Sequence, residues 1–485
     1  MFSATGLRWK RQRFVINPTF SSAKLKQMTP LIHRSVFTFM KKMSEESNKG
    51  QPFDIYAYYK RFTMDTIWSC AFEVIKTRRL SLTIKNWTET YGRIFGYFEG
   101  HTPILVISDP DILQDVFIKS FSNFHSRRTF PLQDPKSKDV HLFSATSLRW
   151  KRHRFIINPI FSSAKLKQMT PLIHRSVLTF MKKMSEESNK GQPFDIYAYY
   201  KRFTMDTIWS CGFGLDTNMQ NNINDPYLIY SQQMFGENRN IRLIMLLNMF
   251  ITELNQLWRA IYIHGGNIRY WLRYYIPIAK KFIQENPSTW ILQEARQFIN
   301  TREKFVIAGY ETTSTALSYI SYVLATHPNE QQKLQDEIDA NFISKTEDDM
   351  PSYDTVSQME YLDMFIRETL RMYPIVPVVV NRQSSEDFHI EGIGTIPAGT
   401  CIAVDIIYIM ILISWIPFGA GPRNCVGMRF AFVQIKMVLV RLLKTYSIVG
   451  CGDQTCKPFE NLKEYIVIAP KQVIVRLQRR NEHYN

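Results

Sequence analysis

The ten residues from Phe418 to Gly427, F-G-A-G-P-R-N-C-V-G, set one cysteine on a glycine- and proline-shaped turn directly before an amphipathic run. Gly419, Gly421 and Pro422 keep such a turn short, so the Cys425 side chain looks out of it. Met428, Ala431, Phe432, Ile435, Val438, Leu439 and Leu442 then recur at spacings of three and four, which predicts a helix that buries one face. A thiol has an ordinary pKa of about 8.5, and a helix start, a cation or a metal lowers it. Arg423 and the helix N-terminus supply the first two. A cysteine met at random is more often a small buried hydrophobe. A lone cysteine set on so compact a turn directly before a helix is also how a protein presents a thiolate to a metal.

A chain of 485 residues with 45% hydrophobic and 21% charged residues is ordinary for a large globular enzyme. Its six cysteines, Cys70, Cys211, Cys401, Cys425, Cys451 and Cys456, are too sparse for a disulfide framework and suit a reducing compartment. Cys451 and Cys456 lack the C-x-x-C spacing of a zinc or redox pair and read as structural. The net charge of +17 suggests nucleic acid or an anionic surface until it is located. Residues Phe2 to Phe72 and Phe143 to Phe213 are nearly the same text, 141 positions apart. They differ only at Gly6/Ser147, Gln12/His153, Val15/Ile156, Thr19/Ile160, Phe37/Leu178 and Ala71/Gly212. Each copy carries 12 Lys+Arg against 4 Asp+Glu, so the pair holds nearly all of the excess and nucleic acid is dropped as a partner. A single duplication is not a repeat array. Residues 1–84 read as a partial duplicate of the helical segment 143–213 and not as an independent domain; 85–485 read as the domain itself.

Along the chain, Tyr91 to Ile107 predicts a hairpin turning at Glu99-Gly100, and Ser108-Asp109-Pro110-Asp111 a capped helix start. Each copy of the duplicate predicts a long basic helix, a Gly-Gln-Pro break at Gly50 or Gly191, and a second helix. Glu303 to about Ala325, Asn329 to Asn341 and Tyr353 to Met372 predict further helices. Ile406 to Phe418 is too short for a membrane span and reads as a buried strand or core segment. Tyr465 to Leu477, with a turn at Pro470-Lys471, predicts a terminal hairpin. No run of eighteen apolar residues occurs, and the start lacks the order of a signal peptide.

Two further motifs carry polar chemistry. A-G-Y-E-T-T, Ala308 to Thr313, places Gly309, Glu311 and Thr312 inside a helix, where Gly costs about 1 kcal/mol relative to Ala, so something must lie against it. Glu368-Thr369-Leu370-Arg371 puts opposite charges at i and i+3 on one helix face.

F-x-x-G-x-R-x-C-x-G followed by M-R-F-A resembles the haem-binding loop of the cytochrome P450 monooxygenases. A-T-H-P-N-E-Q-Q-K-L-Q-D-E-I-D and Y-D-T-V-S-Q-M-E-Y-L-D-M are similar to the drug- and steroid-oxidising clan that includes thromboxane synthase. The likeness covers roughly Asn86 to Phe213 and Phe305 to Leu477. It implies a mainly α fold with small β-sheets, haem b as cofactor and Cys425 as the axial thiolate on iron. Phe418 would shield the sulfur, and Gly427 would let the helix approach the porphyrin. Arg423, Arg382, Trp150 and Arg154 would reach the propionates, with Arg127 a further contact; the identical Trp9 and Arg13 cannot occupy the same place. Ala308 would line the cofactor, Gly309 would make room for O2, and Glu311 and Thr312 would relay protons. Glu368 and Arg371 would form a buried pair, completed in the family by an arginine of a P-x-R-F segment. Here only a short stretch separates Gly399 from Phe418, so that segment is missing.

The resemblance also implies the activity: one atom of O2 inserted into a lipophilic organic substrate, with electrons from NADPH-cytochrome P450 reductase. Cytochrome b5 would be a second donor, and Lys151 and Arg152 would dock the reductase. It implies the cytoplasmic face of the endoplasmic reticulum membrane, although the duplicate stands where the family carries its anchor. A peroxide isomerase needing no reductase is disfavoured by intact Glu311 and Thr312. The other alternative is a catalytically defective relative with poor haem retention, at most a binder of hydrophobic ligands, supported by the missing segment.

Overall fold

In the computed structural model, the elements in chain order begin with helix α1 (Leu80–Tyr91), strands β1 (Ile94–Glu99) and β2 (Thr102–Ile107), and helix α2 (Pro110–Gln114). Helices α3 (Ser147–Ile157) and α4 (Ser163–Lys190), strand β3 (Phe194–Asp195), and helices α5 (Ile196–Phe213) and α6 (Pro226–Phe235) follow. Next come helices α7 (Glu303–Thr326), α8 (Pro328–Asn341), α9 (Tyr353–Gln358) and α10 (Glu360–Met372). Strands β4 (Asn381–Gln383), β5 (Phe388–Ile390), β6 (Gly394–Ile396) and β7 (Cys401–Ala403) lead to helix α11 (Ile406–Ile411). The chain ends with helix α12 (Met428–Thr445), strand β8 (Tyr446–Gly450), helix α13 (Asp453–Glu460), and strands β9 (Lys463–Glu464), β10 (Ile468–Ala469) and β11 (Ile474–Arg479). The structure describes residues 79–99, 102–128, 142–143, 145–235, 303–343, 349–377, 380–391, 393–411, 415–460, 462–464 and 467–480. The first copy of the duplicate, with Trp9, Arg13 and Cys70, lies outside the described residues, as does the turn residue Gly100.

The chain divides into two units, Met1–Phe124 with Val380–Leu412, and His125–Val379 with Ile413–Asn485. In the first, β1 and β2 pair antiparallel from Ile94↔Ile107 to Glu99↔Thr102, as the hairpin pattern predicts. The β7 strand adds to β2 in parallel and β4 to β7 antiparallel, giving the order β1-β2-β7-β4. Ile84, Phe95 and Val106 bury together under this sheet. The Asp109 carboxylate accepts from the Asp111 and Ile112 amides and starts α2 at the predicted place. The segment after Asp405 is helical, not a strand. The Asp405 carboxylate accepts from the Tyr408 amide at 2.9 Å and its carbonyl from the Ile409 amide, which nucleates a turn that hydrophobicity alone does not reveal.

In the second unit, α4 runs the length its basic pattern predicts and ends at Gly191, whose φ of 66° is the left-handed cap. Ile173, Val177 and Phe180 of α4, Tyr200 and Phe203 of α5, Leu317 and Ile320 of α7, and Leu439 and Leu442 of α12 share one core. Helix α12 was expected to bury one face, yet every residue from Phe432 to Leu443 is buried, because partners pack around it on all sides. Its Lys436 is compensated by Asp363 at 2.9 Å. The predicted Tyr353–Met372 helix is two helices, broken at Met359, whose backbone is extended. The terminal hairpin is also corrected. Strand β11 pairs with β8 and β3 rather than with the preceding stretch, which forms only the short β9–β10 ladder. Among the described residues no helix is long and apolar enough to cross a membrane.

Candidate active site

The cysteine loop is shaped by its backbone. Gly419 and Gly421 sit at φ of 72° and 68°, where an L side chain is strained. Pro422 lies in a 3-10 turn, Gly421–Arg423. The Cys425 amide then donates to the Phe418 carbonyl at 2.8 Å, closing the loop. Gly427 caps α12 at an ordinary φ of −87°, and a Cβ there would meet no protein atom within 4 Å. Among the described residues nothing therefore requires glycine at 427, whereas a flat group lying over the helix start would. The Phe418 ring packs against Trp415 and Phe432, with centroids at 5.9 and 5.7 Å.

Cys425 is exposed, yet protein crowds its thiol enough to push the pKa up, against the lowering that the sequence suggests. Burial outweighs the Gly427 amide, the Arg154 and Arg127 charges and the Met428 amide. A thiol that is reachable but under-compensated suits a bond to a metal, which stabilises the thiolate directly.

Three arginines converge on the loop. Arg154 of α3 donates to the Asn424 carbonyl at 2.7 Å and to its side-chain oxygen at 2.8 Å. Arg127 donates to the Arg423 carbonyl at 3.2 Å and lies 4.5 Å over the Phe143 ring. Arg423 is 2% exposed; it donates to the Ala145 carbonyl, and its guanidinium sits 4.7 Å over buried Trp150. Burial, then Arg127 and Arg154, push Arg423 down to about 9, and burial pushes Arg127 down to about 10. Among the described residues, none of the three forms an ion pair with a carboxylate, and the Arg127 and Arg423 Nε atoms are buried without a hydrogen-bond partner. A dianionic group such as the two propionates of haem fits this acid-free cluster. Trp150 and Arg154 of the second copy both lie at the loop, Arg154 bonded to Asn424 and Trp150 beneath Arg423.

On α7, Gly309 faces α5: a Cβ would lie 3.0 Å from the Ile208 Cδ1. The absence of a side chain at 309 permits this close approach of α7 to Ile208. Glu311 is 6% exposed and points to α5 as well. It accepts from the Tyr197 hydroxyl at 2.8 Å and pairs with Lys201 at 3.3 Å, both at Oε1. Thr312 is half-buried on the adjoining face. Ala308 is in the α7 backbone, but its side chain lies outside the description.

Glu368 and Arg371 meet in a two-bond fork, each bond 2.7 Å, as the i, i+3 spacing predicts. Their side chains are 60% and 26% exposed, so the expected buried pair is a surface pair, with no uncompensated buried charge. Arg382 is 1% exposed in the other unit, where its guanidinium lies 4.4 Å over the Phe117 ring and donates to the Asn381 carbonyl. Sequence reasoning missed Asn424, Tyr197 and Lys201. The available signal for the last was a Lys201-Arg202 pair set within a helix rich in aromatic and apolar residues.

A family model described as Cytochrome P450 matches residues 1–79, 73–410 and 413–477. Cytochrome P450 3A29 of Sus scrofa is 30% identical over 445 residues, 82% of this chain and 87% of that protein. Cytochrome P450 3A28 of Bos taurus is 32% identical over 410 residues, 75% of this chain and 80% of that protein. The model meets the duplicate twice, and its break at 411–412 falls where the shortened segment precedes the loop. A match on both sides of Cys425, over this share of the length, places the chain in the cytochrome P450 family, the haem-dependent monooxygenases.

Proposed function

We propose that this chain inserts one atom of O2 into a C–H bond of a lipophilic substrate at the endoplasmic reticulum membrane. The second oxygen atom leaves as water, with two protons and with two electrons from an NADPH-dependent reductase. The observation that carries this reading is a reachable Cys425 beside three guanidiniums without an acidic partner among the described residues. Haem, bound through the Cys425 sulfur, supplies the oxygen-activating chemistry, and a thiolate ligand favours O–O cleavage. Arg127, Arg154 and Arg423 anchor its carboxylates, and Trp150 holds the Arg423 plane. Glu311 and Thr312 carry protons on the α7 side. Exposed Lys151 and Arg152 on α3 support docking of an acidic reductase face, and cytochrome b5 would use the same charges. Residues 85–485 carry this activity, with 1–84 as a duplicate outside it.

The test is the carbon monoxide difference spectrum of the reduced, haem-supplied chain. A red-shifted thiolate Soret band is expected, and it should vanish in Cys425→Ala. Absence of haem uptake by the unaltered chain favours the second reading, a defective relative. That reading draws on one observation: Glu368 is exposed and Arg371 only half-buried where the family resemblance implies a covered pair.

A further inference from the structure

The α5–α7 contact contains a polar knot that neither core packing nor cofactor binding explains. Tyr197 is 2% exposed, and its hydroxyl touches both Glu311 Oε1 at 2.8 Å and Thr315 Oγ1 at 2.9 Å. One helical turn on, Lys201 brings Nζ to 3.3 Å from the same Oε1 and to 4.2 Å from the Tyr197 ring centroid. The Glu311 side chain is 8% exposed and that of Lys201 23%. Removing the cation from a buried pair leaves the other charge without its counter-charge, so the Glu311 carboxylate would lose its fixed seat. Both contacts fall on one oxygen, which fixes the side-chain direction and leaves Oε2 for proton exchange. Ser314 and Ser318 bond back to their own helix and do not compete for the carboxylate.

We infer that Lys201, seconded by Tyr197, is the positioning residue for Glu311, holding the carboxylate at a set place on the α5 side of α7. The inference rests on the reading of Glu311 as a proton carrier. A misplaced carrier leaves oxygen reduction to end in released hydrogen peroxide (O2 + 2 electrons + 2 protons) rather than in hydroxylated product and water.

The experiment uses the full chain with Lys201→Met, Lys201→Arg, Glu311→Gln and the Lys201→Met/Glu311→Gln double variant. Without haem, denaturation of the four-membered Lys201→Met/Glu311→Gln cycle should show coupling of roughly tenfold in the folding equilibrium, in the range for contacting groups. With haem and NADPH-cytochrome P450 reductase, Lys201→Met should raise the fraction of electrons recovered as peroxide several-fold. Lys201→Arg should restore most of the loss, and Lys201→Met should add nothing in the Glu311→Gln background. Absence of coupling in the haem-free chain overturns the inference. So does a peroxide rise that persists in the Glu311→Gln background. If coupling is present but Glu311→Gln leaves the peroxide fraction unchanged, the proton-carrier reading itself falls, and Lys201 is reduced to a structural partner.

Discussion

At the scale of single residues, the cluster around Cys425 is built of charges of one sign. Arg127, Arg154 and Arg423 brace the loop through carbonyls of residues 143, 145, 423 and 424, and burial lowers the pKa of each. Backbone carbonyls satisfy guanidinium donors but do not cancel their charge. Arg154→Ala removes two good hydrogen bonds to Asn424, a loss of about 1.5–3 kcal/mol for a charged donor. In the haem-free protein the same change removes one of three mutually repelling cations, which offsets part of that loss. If haem carboxylates seat on these arginines, as proposed, they would neutralise the cluster and the offset would disappear. Thermal denaturation should therefore show Arg154→Ala costing more in the haem-loaded than in the haem-free chain; equal costs would mean that the arginine serves the loop alone.

At the scale of elements, α5 and α7 approach closely because position 309 has no side chain. Gly309→Ala gains about 1 kcal/mol of helix propensity and asks only the terminal methyl of Ile208 to move, so stability should change by less than about 1 kcal/mol. Gly309→Val adds bulk that Ile208 cannot clear and should cost about 1–3 kcal/mol in denaturant unfolding. If Ala proves as costly as Val, Ile208 is not what limits the site. The glycine itself was legible in the sequence as a helix breaker with something against it; the identity of its neighbour was not. The same boundary runs through the other elements. Local signals located the β1–β2 hairpin, the Asp109 cap, the Gly191 stop and the turn before Cys425, because each depends on a few adjacent residues. Long-range choices escaped it: β11 joins β8 and β3, α12 is enclosed all round, and Lys201 finds Glu311 from another helix.

At the scale of the whole molecule, the chain carries one site-bearing text twice, and the described site uses the second copy. Trp150, Arg154, Tyr197 and Lys201 all belong to it, and their counterparts Trp9, Arg13, Tyr56 and Lys60 have no second Cys425 loop or α7 to meet. The proposed loss of a segment before the loop bears on a different face: on α10, Met364, Glu368 and Met372 are exposed beside half-buried Arg371, the two methionines at 57% and 56%. A shortened chain beginning at Arg79 separates these two departures. That starting point keeps α1 whole, whose Ile84 packs on Phe95 and Val106, whereas a cut at residue 84 would divide the helix. The shortened chain should take up haem and give the same carbon monoxide difference band as the full chain, because every side chain placed at the loop remains. If uptake is lost on shortening, the first copy supports the second, and the proposal that 85–485 carries the activity alone fails. If both chains lack haem, the duplicate is not the cause. That face of α10 then becomes the place to repair, by restoring a covering segment between Asp405 and Phe418.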